Sequence, residues 1–92
     1  MVGLSASAWQ PQAAIPFMLG IRAYADPNAL SRVLDIFAQR GMIPTQVCCR
    51  RAGSHLVIDI ELPFLRDDPI AAPLVEKIRS MSLVVRADCV SQ

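Results

Sequence analysis

Ala25-Asp26-Pro27-Asn28-Ala29-Leu30-Ser31-Arg32-Val33, running on to Phe37-Ala38-Gln39-Arg40-Gly41-Met42, joins a strand to a helix through a short polar loop. Asp26 suits an N-cap, because its carboxylate can take an orphan backbone N–H, and Pro27 suits the first helical turn, where a missing N–H costs nothing. Leu30, Val33, Leu34, Phe37 and Ala38 recur at helical spacing until Gly41 supplies a C-cap, so a helix is predicted over about 27–40.

Upstream, Phe17, Leu19, Ile21 and Ala23 alternate with Met18, Gly20, Arg22 and Tyr24, which is the period of a strand with one buried face. Downstream, Ile43 to Arg51 alternates again, Ala52-Gly53-Ser54 turns the chain, and His55 to Leu62 pairs back with Leu56, Ile58 and Ile60 inward. Arg66-Asp67-Asp68-Pro69 opens a second helix with a stripe of Ile70, Leu74, Ile78 and Met81, which Pro73 delays or distorts in its first turn. Leu83 to Val90 is a last strand, with Leu83, Val85, Ala87 and Cys89 on one side and Val84, Arg86, Asp88 and Val90 on the other. Residues 1–16 show no period and are expected to form a flexible N-terminal arm, leaving 17–92 as a single domain.

The order β-α-β-β-α-β predicts an α+β ferredoxin-like sandwich: a four-stranded antiparallel sheet in the order 4-1-3-2 with both helices on one face. The uncovered face is then expected to carry Arg22, Arg50, Arg86, Asp59, Glu61 and Asp88 beside Tyr24, Val57, Val84 and Cys48. Two readings of such a face stand: a partner surface with opposite charges pairing across strands, or a solvated face with scattered apolar residues.

Bulk properties narrow the function classes. Nine Lys plus Arg against eight Asp plus Glu give a net charge of +1, which lacks the basic field that drives nucleic-acid binding. No apolar run approaches the roughly 20 residues of a membrane span, and the first residues lack the regions of a signal peptide, so a cytoplasmic protein is expected. The composition is 53% hydrophobic, with a mean hydropathy of +0.39, which points to association with another chain. Three cysteines imply no disulfide framework and are expected as small core or interface hydrophobes; with one histidine, His55, they are too few and badly spaced for a metal site.

No catalytic constellation is visible. Ser31 lies on a helix, Ser54 in a turn, and His55 follows that turn, so no nucleophile has an identifiable base. The loop after the first strand offers Asp26, which would repel a phosphate, and the open face offers only Tyr24 for stacking a base. The chain is therefore expected not to be an enzyme. What remains is the start of the first helix, where the N–H groups of Asn28, Ala29 and Leu30 and the helix dipole suit an amino acid's carboxylate. Asp26 would take its amino group, and Met42 and Ile43 would wall its side chain. The plainer reading is that Asp26-Pro27 is only a well-made helix start.

The segment Ala29-Leu30-Ser31-Arg32-Val33 with Arg40-Gly41, and a weaker echo in Glu76-Lys77-Ile78-Arg79-Ser80-Met81, resembles the regulatory ACT domain, most closely the small subunit of acetohydroxyacid synthase, over about residues 17–90. The resemblance implies a homodimer with a continuous eight-stranded sheet and a branched-chain amino acid such as valine at the dimer interface. It also implies a catalytic partner that uses thiamine diphosphate, so that this chain itself carries no cofactor. The departures fall where the ligand sits: Ala25 stands for the family's Asn, Asn28 for its loop Gly, and Met42-Ile43 for its Tyr-Asn. Two lost hydrogen bonds to a charged group, at about 1.5–3 kcal/mol each, weaken binding by roughly two to four powers of ten. The expectation is a regulatory subunit supporting acetohydroxyacid synthase without valine sensing, or, alternatively, a stand-alone ACT module sensing a small molecule at the helix start.

Overall fold

The computed structural model describes residues 16–65 and 68–89. The arm expected over 1–16 lies outside them except for Pro16, which opens the first strand. The elements are β1 (Pro16–Tyr24), α1 (Ala29–Gln39), β2 (Gln46–Ala52), β3 (His55–Leu65), α2 (Ala71–Arg79) and β4 (Val84–Cys89). All pairings are antiparallel and the spatial order is β2-β3-β1-β4, the predicted 4-1-3-2 sheet.

The period-two pattern of β1 is realised in full, with Phe17, Leu19, Ile21 and Ala23 buried and Arg22 and Tyr24 exposed. Ile58, Ile60 and Leu62 of β3 share that side, and Val33, Ile36 and Phe37 of α1 and Leu74, Val75 and Ile78 of α2 close over it. The α1 stripe is rotated slightly from the expected one: Ala29 and Ile36 are buried, Leu30 and Leu34 flank the core, and Ala38 is exposed.

Four expectations are corrected. The second strand starts at Gln46 rather than Ile43, which is 83% exposed, because Pro44 has no N–H to donate; pairing begins when the Thr45 N–H reaches the Glu61 carbonyl at 2.8 Å. Val84 is not on the open face: Arg22 pairs with Arg86 but Ala23 with Val84, so Val85 is an extra residue that turns Val84 toward the core and is itself 45% exposed. Ile70 is not part of the buried stripe of α2 but its exposed cap. The cysteines are free, exposed thiols, which removes the core half of their expectation and leaves the interface half standing, because the helices do not reach over β2, every residue of which is exposed, or over the end of β4.

Pro73 turns out to sit inside the first turn of α2 without delaying it. The N–H groups of the first three helical residues have no intrahelical acceptor, so proline loses nothing there, and the ladder begins with the Leu74 N–H on the Ile70 carbonyl at 3.3 Å. Pro73→Ala is accordingly expected to lower stability by about 0.4–1 kcal/mol, because the unfolded chain gains freedom while the helix gains no bond. A urea melt checks this, and a more stable variant would contradict it.

Candidate functional site

The loop between β1 and α1 is held by backbone bonds at the end of the sheet. The Tyr24 N–H donates to the Leu83 carbonyl at 2.9 Å, and the Ala25 N–H to the Ser54 carbonyl at 3.1 Å, which ties the loop to the turns before β4 and β3. Asp26 then organises the helix start from two residues upstream of the cap. Its Oδ1 accepts the Asn28 N–H at 2.8 Å and its carbonyl accepts the Ala29 N–H at 3.0 Å, while Asn28 holds the N-cap position with no side-chain capping bond. Asp26 is thus not itself the N-cap; the turn at Pro27-Asn28 intervenes.

The same device opens α2. Asp68 Oδ1 accepts the Ile70 N–H at 3.0 Å and the Asp68 carbonyl accepts the Ala71 N–H at 2.9 Å, so Asp26-Pro27-Asn28-Ala29 and Asp68-Pro69-Ile70-Ala71 fold alike. A recurring Asp-Pro-x-Ala turn explains the loop geometry by local hydrogen bonding alone.

Of the six candidate residues, the fold brings four together. Asp26 is half-buried, Asn28 exposed, Ala29 fully buried at the first turn of α1, and Leu30 half-buried against the core. Two of the three amides assigned to a ligand carboxylate, those of Asn28 and Ala29, already donate to Asp26. Met42 and Ile43 lie at the other end of α1, about 16 Å away for an 11-residue helix. Met42 packs on the core with its N–H on the Phe37 carbonyl at 2.9 Å, and Ile43 stands in solvent. Within one chain these two cannot wall a ligand held at Asp26.

Tyr24 and His55 flank the loop on the open face, stacked with ring centroids 5.8 Å apart. Their alternation in the strands placed them on that face, but their contact follows from the register Tyr24 to His55, which the sequence does not spell out. Ser54 Oγ lies 3.4 Å from His55 Nδ1, longer than the roughly 2.6–3.2 Å of a nucleophile held by its base, and both are in an open turn. Among the described residues no three His, Cys, Asp or Glu side chains gather as a metal site, and no helix is long and apolar enough to cross a membrane. On β4, hydrogen bonds from Arg86 first and Arg79 second hold the Asp88 carboxyl below its ordinary range.

A family model described as an ACT-like domain matches residues 10–90. No curated protein matches the sequence. Among solved structures, the ACT domain from the GTP pyrophosphokinase of Chlorobium tepidum is similar at a TM-score of 0.72 and 9% identity, over 88% of this chain and 91% of that one. The C-terminal domain of the MgtC protein from Mycobacterium tuberculosis is similar at 0.67 and 12% identity, over 90% and 93%. At these identities the likeness is one of fold.

Proposed function

The chain belongs to the ACT-like domain family, and from that premise we propose that it is a non-catalytic regulatory module which binds a small molecule and supports an acetohydroxyacid synthase catalytic chain in branched-chain amino-acid synthesis. The observation that carries the reading is that the family match spans residues 10–90 and so contains the whole loop-helix segment from Ala25 to Gly41 on which the resemblance to that enzyme's small subunit rests. Gly41, at φ 67, supplies the left-handed C-cap that the Arg-Gly step of the resemblance needs.

The module acts as a homodimer in this reading. Met42 and Ile43, at the far end of α1 from Asp26, reach a ligand at the loop only if a second copy brings them there. Valine is a poor ligand, since Ala25 and Met42-Ile43 supply no side-chain amide and the Asn28 and Ala29 amides are engaged by Asp26. Thiamine diphosphate belongs to the catalytic partner.

Purifying the chain with the acetohydroxyacid synthase catalytic subunit of the same organism, and assaying with and without valine, tests this. The expected result is co-purification and a rise in activity that valine does not reverse. No co-purification and no change in rate would overturn the assignment to that enzyme. A stand-alone sensor is the second reading, favoured by the likeness to an ACT domain that comes from a different enzyme, a GTP pyrophosphokinase. It expects thermal stabilisation by one member of an amino-acid panel, weakened by Asp26→Ala, since a ligand that binds only the folded state raises its melting temperature.

A further inference from the structure

The sheet face turned away from the helices carries its charges in rows. Across the strands in the order β2, β3, β1, β4, one row is Arg50, Val57, Arg22, Arg86, and the next is Cys48, Asp59, Gly20, Asp88. Directly opposed side chains lie about 5 Å apart, and successive rows on one face are about 7 Å apart. Gly20 contributes no side chain, which leaves a groove of about 240 Å³ bounded by Arg22, Val57, Asp59, Arg86 and Asp88.

In the single chain these charges are poorly matched. Arg22 and Arg86 are direct cross-strand partners of like sign, an unfavourable arrangement. Arg86 Nε is relieved by Asp88 Oδ2 at 2.9 Å, and Asp88 also accepts Arg79 at 3.3 Å. Arg22 and Asp59, by contrast, make no ion pair and no side-chain hydrogen bond among the described residues. An unpaired cation and an unpaired anion thus flank one glycine notch.

We propose that this face docks a second copy of the chain, about a twofold axis that runs across the strands between the two rows. Such a rotation reverses the strand direction and leaves each strand over its own counterpart. Arg22 of one copy then lies over Gly20 of the other, between Asp59 and Asp88, and Arg86 lies over Asp88. The outer rows agree: Tyr24 falls over Met18 and His55 over Glu61, because Tyr24 and His55 share one register row, and Met18 and Glu61 another. Each contact occurs twice, as an isologous interface requires. A twofold axis along the strands would instead set arginine row on arginine row. Sheets packed face to face stand about 10 Å apart, within reach of an extended arginine entering the notch at Gly20. The interface differs from the continuous eight-stranded sheet, which joins edges and leaves this face bare.

The test is the mass of the full chain in solution by sedimentation equilibrium. Arg22→Asp and Asp59→Arg, each putting like charges in contact twice, are expected to raise Kd at least about 100-fold and to halve the assembled mass. Mixing the two variants is expected to restore it, because the introduced carboxylate then faces the introduced guanidinium while the other contact remains native. Gly20→Val, which fills the notch without altering charge and suits a strand, is expected to halve the mass with no loss of thermal stability in the separated chain. A chain that is monomeric at every concentration, a mass unmoved by either reversal, or a mixture that fails to reassociate would each overturn the proposal. A chain monomeric at every concentration would also remove the homodimer from the proposed function, whereas the variant and mixing outcomes do not bear on co-purification with a catalytic subunit, which is judged separately.

Discussion

Phe37→Ala is expected to destabilise the chain by about 3–5 kcal/mol, the usual cost of emptying a buried aromatic site. A chain of 92 residues holds on the order of 5–14 kcal/mol in all, so this one change removes roughly a fifth or more of the margin. Phe37 is 1% exposed and packs where α1 meets the sheet and α2. Its carbonyl accepts the Arg40 N–H at 3.1 Å and the Met42 N–H at 2.9 Å, which end the helix, but truncating the side chain leaves those bonds in place. The loss is therefore one of packing: a lowered urea midpoint with an unchanged slope. Leu34, on the flank of the same helix and half-buried, is expected to cost less when truncated. The change also loosens what the helix positions, because α1 follows the Asp26 loop at its start and leads to Met42 beyond its end. A Phe37 variant as stable as the parent would show that the helix does not rely on this core.

How much was legible in the sequence depended on whether a pattern was enforced by burial. β1 and β3 each bury one face, so the alternation of Phe17, Leu19 and Ile21 and of Ile58, Ile60 and Leu62 survives into the structure unchanged. On β4 the same reasoning failed at Val84 and Val85, two residues of equal strand propensity, where a single extra residue inverts which one faces inward. β2 was read from the alternation of Ile43 to Arg51, yet none of its residues is buried, because pairing with β3 and the turn at Gly53 make the strand while the helices stop short of it. The Asp26 loop was readable as a helix start, and the repeat of that turn at Asp68 was present in the sequence as a second Asp-Pro-x-Ala. The distance from Asp26 to Met42 was also available in principle, since a helix of that length separates its ends by several turns. The charge rows were not: a mixed open face follows from alternation, but which arginine stands beside which aspartate depends on pairing offsets that no single strand encodes.

Ile58→Ala is expected to cost about 2–5 kcal/mol, and Val57→Ala, one residue away, well under half of that in the isolated chain. Ile58 is fully buried at the centre of the sheet, with Ile21 of β1 on one side and Cys49 of β2 on the other, and faces the helices. Val57 is only half-buried, because it points to the opposite face, between Arg22 and Arg50. In dilute protein the gap between the two truncations measures how strictly β3 divides core from surface. At concentrations where chains associate, the two truncations respond differently. Ile58 stays in the same core whatever covers the open face, so its cost is fixed. Val57 lines the Gly20 groove, so docking of a second copy buries it further and its cost rises with protein concentration. Urea melts of both variants at two concentrations a hundredfold apart read this out. A Val57 penalty that does not grow with concentration would count against docking of a second copy on this face.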